Sequence, residues 1–311
     1  MQQRQTVFVI GECMIELRRG AAGLSYGFGG DTLNTAVYLS RLIDRTRFEV
    51  AYVSALGTDT FSDEMCTSWA AEGIVTEWVQ RLPDKLPGLY LIETDAGGER
   101  SFHYWRDDSA ARYWLQGPRV AQVREALAHA PFTYLSGISL AILGESHREL
   151  LLETLAQSRA RGGKIIFDSN FRPRLWQGTG VAADVHRRVL ALTDIALLSL
   201  DDERTLHGPA EVAEVIARVR ALGVPEVVVK RGAASCIVQA EGVREEVAPP
   251  RVASVVDTTA AGDSFGAAYL AARLAGHSAT QAARAGHRVA ATVIQHQGAI
   301  IPPQNMPRVF E

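Results

Sequence analysis

Cysteine is scarce in this chain: Cys13, Cys66 and Cys236 are the only three in 311 residues. They are odd in number and far apart in sequence, which argues against a disulfide framework or a cysteine-based zinc site. They read instead as buried thiols of a protein from a reducing compartment. Long hydrophobic runs are also missing. Thr6-Val7-Phe8-Val9-Ile10 is too short for the core of a signal peptide or for a membrane span, so the expectation is a cytoplasmic protein without membrane contact. Neither sign of charge dominates, with 32 Lys and Arg against 35 Asp and Glu and a formal net charge of −3. Without a global basic field there is nothing to hold nucleic acid or an anionic membrane, and any phosphate recognition has to be local. Internal repeats, low-complexity blocks and linker-like Pro/Gly/Ser tracts are absent as well. What remains is an ordinary globular composition, 47% hydrophobic and 22% charged, enough for a substantial core.

Short apolar runs recur at Val7–Gly11, Val50–Val53, Thr133–Ser136, Lys164–Asp168, Ile195–Leu198 and Val227–Lys230, each the length of a buried strand. Helical patterns separate them at Thr32–Leu42, Phe61–Glu72, Val120–Ala128, Ser146–Arg161, Val181–Leu192 and Ala210–Leu222. This alternation predicts a mainly parallel sheet covered by helices on both faces, with ligands bound beyond the carboxyl ends of its strands. One stretch breaks it. Gly88–Thr94 and Arg100–Arg106 flank Asp95-Ala96-Gly97-Gly98, a hairpin signature. With Met14–Leu17, the hairpin predicts a small β-sheet lid over a single α/β domain spanning residues 1–311, its strands drawn from about 12–26 and 88–106. Lids exclude water, which matters where water competes as an acceptor.

Two segments carry chemistry. Asp257-Thr258-Thr259-Ala260-Ala261-Gly262-Asp263-Ser264-Phe265 joins a short strand to a small-residue helix. Its minimal side chains let an anion approach backbone amides at the positive end of a helix dipole. Asp263 would repel a bound phosphate unless it has a task such as accepting a proton from an attacking hydroxyl, although a helix cap accounts for it equally well. Gly27-Phe28-Gly29-Gly30-Asp31-Thr32-Leu33-Asn34 places Asp31 and Asn34 one helical turn apart on a shared face, suited to a polyhydroxylated ligand. A glycine loop before a helix capped by Asp31 is the plainer alternative. No Lys-Ser/Thr follows these glycines, so this is not a Walker P-loop.

Taken together, Gly29-Gly30 with Asn34 and Ala36 at one end, and Asp257 to Asp263 at the other, resemble the paired signatures of the PfkB (ribokinase-like) family of sugar kinases. The resemblance covers nearly the whole chain. It implies a three-layer α/β/α ribokinase-like domain with a mainly parallel sheet and a small β-sheet lid. Within the family, Gly11-Glu12-Cys13-Met14-Ile15-Glu16-Leu17, Leu86-Pro87-Gly88-Leu89-Tyr90, Tyr104-Trp105-Arg106, Tyr134-Leu135-Ser136-Gly137 and Asp168-Ser169-Asn170-Phe171-Arg172-Pro173 look most like the kinases of six-carbon 2-keto-3-deoxy sugar acids. The implied reaction is direct in-line transfer from ATP to the primary alcohol of the sugar acid, with Mg²⁺ bridging the ATP phosphates. A neutral-sugar kinase of the fructokinase or ribokinase type, and a non-catalytic sugar-acid-binding regulator, are the competing readings.

The same resemblance makes Asp263 the base and puts Gly262, Ala261 and Ala260 in the anion hole. It places Gly30, Asn34, Tyr90, Tyr104, Arg106 and Arg172 at the substrate, Ser199, Lys230 and Gly232 along the nucleotide groove, and His287 near the expected adenine position. Asp31, as an acceptor for ligand hydroxyls, and Asn170, just beyond the strand ending at Asp168, are read from their own chemistry as further substrate contacts, although turn formation explains Asn170 nearly as well. Arg106 and Arg172 independently suit an acid, because a guanidinium fork matches a carboxylate. An exposed hairpin end and a structural salt bridge are their respective alternatives. Two departures stand out. Leu200 occupies the position where many relatives have an Asn three residues before the Glu that organises magnesium-bound water, which puts that role of Glu203 in question. Ala260 replaces the first glycine of the usual Gly-Ala-Gly-Asp. The family also implies a homo-oligomer built through the lid, and it leaves a monovalent cation open.

Overall fold

The computed structural model describes residues 4–20, 23–94 and 100–310. The chain starts in β1 (Gln5–Ile10), leaves the main sheet for β2 (Met14–Gly20) and β3 (Gly23–Gly29), and returns through α1 (Asp31–Leu42) to β4 (Phe48–Leu56). Helix α2 (Thr60–Ala71) and the short strands β5 (Ile74–Val75) and β6 (Val79–Arg81) precede a second excursion, β7 (Gly88–Thr94) and β8 (Arg100–Trp105). Then strand and helix alternate: α3 (Val120–Ala128), β9 (Phe132–Ser136), α4 (Gly137–Ala141), α5 (Glu145–Ala160), β10 (Lys164–Asp168), α6 (Thr179–Leu190), β11 (Ile195–Ser199), α7 (Leu200–His207), α8 (Val212–Ala221) and β12 (Glu226–Lys230). A hairpin of β13 (Cys236–Ala240) and β14 (Val243–Val247) leads to α9 (Ala261–Leu274) and α10 (Ala279–Val293).

Among the described residues the main sheet has ten strands in the order β14-β13-β12-β11-β10-β9-β1-β4-β5, with β6 also on β4. It is parallel from β12 through β6 and antiparallel only at the β13–β14 end. Its strands are apolar on both faces because each face carries a core. In β1, Val7 and Val9 join the side formed with Leu33, Trp69, Phe265 and Val289, while Phe8 and Ile10 join the side formed with Val123, Leu151, Val185 and Val215. This is the predicted three-layer α/β/α fold. The helix faces differ in texture. Helices α9 and α10 pack closely because Gly286 leaves room for Phe265, whose ring would stand 2.8 Å from a Cβ at that position.

The second sheet runs β3-β2-β7-β8 and, among the described residues, shares no strand pairing with the first. Strands β7 and β8 are the two arms of the predicted hairpin; its turn, Asp95–Gly98, lies outside the described residues. The glycine loop expected before α1 is in fact strand: β3 continues through Gly29 and pairs with β2 from Met14 to Gly20. Its last glycine, Gly29, and the following Gly30 pack against protein, while Gly27 faces open space. A Cβ on Gly29 would stand 2.4 Å from the Tyr90 hydroxyl, and one on Gly30 would stand 2.2 Å from the Glu12 carbonyl. The β13–β14 hairpin had no counterpart in the periodicity. Its turn residues Glu241 (φ 53°) and Gly242 (φ 79°) both lie in the left-handed region that two-residue hairpin turns require.

Candidate active site

Four neighbouring parallel strands end in polar residues at one edge of the main sheet: β9 at Ser136, β10 at Asp168, β11 at Ser199 and β12 at Lys230. Register puts Asp168 beside Ser136 and Lys230 beside Ser199. From β1 the chain runs outward to β4 on one side and later to β9 on the other. Such a reversal opens a crevice at the carboxyl ends of the strands. Helices α1 and α9 pack on one another and bring their first turns to it.

Asp31 opens α1 without capping it. Gly30 occupies the cap, and Asp31 Oδ2 accepts from Ser136 Oγ at 2.6 Å and from Asn170 Nδ2 at 2.6 Å. Asn170 is bent into place at φ 24°, so its side chain holds Asp31. Asp263 likewise leaves the cap of α9 to Ala260, and its Oδ2 accepts from Asn34 Nδ2 at 2.8 Å. The capping alternatives for both aspartates are therefore set aside. Asn34 is 4% exposed, and its Oδ1 has no partner among the described residues. Asp263 keeps partial contact with solvent, yet protein surrounds its carboxyl. Burial first, then the charge of Asp31, push its pKa up to about 7, while the Asn34 hydrogen bond pulls the other way.

Lys230 reaches Asp168, Nζ to Oδ2 2.7 Å. The same ammonium would lie 3.6 Å from a Cβ at Gly262, so a cation stands beside the start of α9. The free amides at this helix start are Gly262 and Asp263, one residue along from the expected Ala261 and Gly262. The Ala261 amide donates to the Thr258 carbonyl at 3.2 Å, because the turn that enters α9 closes there. The amides of Gly262 and Asp263 have no hydrogen-bond acceptor among the described residues and point along a helix start suited to an anion. Ala260 holds that turn at φ 61°, a left-handed conformation that costs a side-chain-bearing residue about 1–2 kcal/mol. The usual glycine at this position is thereby explained.

On the second sheet, Tyr90 is buried and its hydroxyl donates a hydrogen bond to Glu16 Oε2. Its ring stacks on that of Tyr104, with centroids 5.7 Å apart, and Tyr104 is half exposed. Arg106 is no exposed hairpin end. It is buried against Glu12, with its guanidinium carbon 5.9 Å from the Tyr104 ring. Arg172 is exposed and makes no ion pair among the described residues; its charge pulls the pKa of Asp202 down, against the burial that raises it. Ser199 caps α7 by accepting from the Asp202 amide at 3.4 Å. Gly232 turns the chain after β12 at φ 60°.

Two expected site residues are placed elsewhere. Glu203 is 2% exposed and paired with Arg218 of α8 at 2.6 Å, so its carboxylate braces two helices and is not offered to a hydrated metal. His287 is 8% exposed, its Nε2 is 3.0 Å from the Val247 carbonyl, and its ring meets Phe265 edge-on at 5.1 Å. Those contacts make it a wall between α9, α10 and β14, and burial lowers its pKa. Sequence reasoning passed over Glu12 and Glu16. The available signal was two carboxylates within the otherwise apolar run Glu12-Cys13-Met14-Ile15-Glu16-Leu17, a pattern that demands buried partners.

A family model described as pfkB family carbohydrate kinase matches residues 4–306. The chain is 54% identical over 307 residues to the 2-dehydro-3-deoxygluconokinase of Dickeya dadantii (strain 3937), covering 97% of this chain and 99% of that protein. It is 53% identical over 305 residues to the 2-dehydro-3-deoxygluconokinase of Escherichia coli (strain K12), covering 97% and 98%. Among solved structures, a fructokinase with bound ATP from Xylella fastidiosa is similar at a TM-score of 0.80 and 25% identity, over 98% of this chain and 96% of that one.

Two outcomes are expected from this geometry. Ala260→Gly relieves the left-handed strain and should raise stability by about 1 kcal/mol, read as a shift in the urea midpoint at constant slope. Asp263 holds its proton more tightly folded, at about 7, than at its ordinary 3.8. The stability present in acid is therefore lost as pH rises through that window and is level above it. Asp263→Asn carries no such proton. Its melting temperature should match the wild type at pH 4 and exceed it at pH 8; equal melting temperatures at both would show that the carboxyl is not raised.

Proposed function

This chain belongs to the pfkB family of carbohydrate kinases, and we propose from that premise that it transfers the γ-phosphoryl group of ATP to the terminal hydroxyl of 2-keto-3-deoxy-D-gluconate. The product is 2-keto-3-deoxy-6-phosphogluconate. The observation that carries the chemistry is Asp263: a carboxylate pushed up to about 7, fixed by Asn34, one residue from an amide and an ammonium suited to an anion. A base of that strength accepts a hydroxyl proton near neutral pH.

In the transfer step the sugar's terminal oxygen forms a bond to the γ-phosphorus as its proton passes to Asp263. The bond from the γ-phosphorus to the bridging oxygen breaks, and ADP leaves with that electron pair. The Gly262 and Asp263 amides and Lys230 counter the charge on the transferring group. No cluster of three or more His, Cys, Asp or Glu side chains is arranged to cage a metal among the described residues, a donor set that fits Mg²⁺ carried largely by phosphates and water. When bound, Mg²⁺ neutralises the ATP phosphates. A monovalent cation near the nucleotide belongs to the same reading as an accessory.

For the acceptor, Tyr90, Tyr104, Arg106 and Gly30 line the side of the second sheet, and Asp31, Asn34, Asn170 and Arg172 the side of the main sheet. Asp31 is held with both donors on one oxygen, which leaves the other for sugar hydroxyls. Arg172, exposed and without an ion pair among the described residues, suits the sugar carboxylate. The small sheet acts as a lid that shields the transfer from water. Leu24, Phe102 and Trp105 are exposed on it, which suits a homo-oligomer joined there, and we assign the enzyme to the cytoplasm. No helix among the described residues is long and apolar enough to cross a membrane.

A coupled ATPase screen tests the reading directly. Turnover should respond strongly to 2-keto-3-deoxygluconate and only slowly to a neutral sugar such as fructose or ribose; a response to neutral sugars alone overturns the acceptor, and none to any sugar favours a regulator. Arg172→Leu should weaken the acid by at least about tenfold in kcat/KM while changing a slow neutral substrate little. Asp263→Asn should lose roughly 10²–10⁴ in kcat. In the wild type, kcat/KM should fall on the acid side with an apparent pKa of about 7, as the protonated carboxyl ceases to be a base.

A further inference from the structure

Every passage between the two sheets runs past one residue, by its main chain or its carboxylate. Glu12 lies on the first crossing, between β1 and β2. Gly30, on the second, packs against its carbonyl so closely that a Cβ would stand at 2.2 Å. Gly88, where the third crossing enters β7, would place a Cβ 2.9 Å from Glu12 Oε1 and 3.2 Å from the Arg106 Cβ. The fourth crossing supplies both side-chain partners: Arg106 donates through Nη2 to Glu12 Oε2, and Ser109 donates through Oγ to Oε1. The third and fourth crossings are in turn tied by the Ala110 amide donating to the Leu86 carbonyl at 2.8 Å. Glu12 is 1% exposed and Arg106 7%.

The pairing is incomplete on the arginine side. Arg106 Nε is buried without a partner among the described residues. A desolvated donor left unmet is unfavourable and is not retained by packing alone. The guanidinium is therefore fixed by one amino group, with the Tyr104 ring beside it, and carries a donor that an incoming acceptor could satisfy.

We propose that Glu12 is the specificity-determining positioning residue for the acid substrate: it holds Arg106 at the junction of the two sheets, so that the guanidinium meets the sugar carboxylate already oriented. Glu12 itself touches no substrate. It acts through Arg106, and the cost of ordering a long, flexible cation is met when the protein folds and not when the acid binds. This rests on the acid-kinase reading above and adds to it a second, buried layer of recognition behind the exposed Arg172.

The test is a kinetic cycle on the full-length protein with 2-keto-3-deoxygluconate and with a neutral sugar. Glu12→Gln keeps the shape and loses the charge. We expect its KM for the acid to rise about tenfold, kcat to stay within about threefold, and the neutral sugar to be unaffected. Ser109→Ala, which removes only the second anchor, should raise the acid KM in the same sense and by less. If Glu12 works through Arg106, the Glu12→Gln/Arg106→Gln double variant is no worse than Arg106→Gln alone. Full additivity, or equal losses with acid and neutral sugar, overturns the proposal and leaves the kinase reading standing. A wild type that turns over only neutral sugars sinks both. Should Glu12→Gln fail to fold in a thermal melt, an unchanged acid KM in Ser109→Ala decides against the proposal.

Discussion

Three carboxylates, Asp31, Asp168 and Asp263, share one edge of the sheet, and the mutual repulsion of their charges is the constraint that the surroundings answer. Each is handled differently. Asp31 takes two neutral donors, Ser136 and Asn170. Asp168 takes a full cation, Lys230. Asp263 takes one amide donor, Asn34, and remains the least compensated of the three. Like charges in a poorly solvated space cannot all persist, so the proton goes to the group with the weakest partner. That gradation separates two carboxylates that organise the site from one that can exchange a proton with a substrate. It also accounts for Asn34, whose replacement by a cation would quench the base it supports.

The gradation depends on positions that only this fold supplies. Strands β9 to β12 end side by side, and α1 and α9 start where the strand order reverses. Helix α9 can lie close over the edge because Gly266 presents no side chain: a Cβ there would stand 3.2 Å from Leu197 and 3.8 Å from Asp168 Oδ2. The small residues of this helix are therefore a packing requirement as well as a start suited to an anion. The left-handed Ala260 belongs to the same geometry, since the turn must bring the Gly262 amide beside Lys230.

Much of this was legible in the sequence, for identifiable reasons. Buried parallel strands are apolar on both faces, so β1, β4, β9, β10, β11 and β12 announced themselves as short uninterrupted runs. The phosphate-friendly start of α9 could be read from residue size alone. What stayed hidden was pairing across long separations. Nothing local tells that Glu203 faces Arg218, or that His287 faces Val247 and Phe265; a buried charge or ring is assigned by what packs on it. The β3 strand was concealed by its glycines, which sequence rules assign to loops, although Gly29 here makes room for Tyr90 and the adjoining Gly30 for the Glu12 main chain. The shift of the free amides from Ala261 to Gly262 and Asp263 follows from a single turn hydrogen bond, a detail below the resolution of a motif.

The two halves of the site also differ in how they are held. Transfer chemistry sits on strand ends and helix starts within one core, where packing leaves little freedom. In the proposed reading acceptor recognition is divided between sheets that share no strand pairing among the described residues, so its accuracy rests on the crossings. At those crossings the chain places glycines at Gly30 and Gly88 and a buried ion pair between Glu12 and Arg106. A buried pair is weak evidence for stability, because desolvation offsets its attraction, and its better-supported use is to specify one arrangement among several. On the proposed reading, the arrangement specified is the angle between the main sheet, which carries Asp168 and Lys230, and the small sheet, which carries Tyr90 and Tyr104.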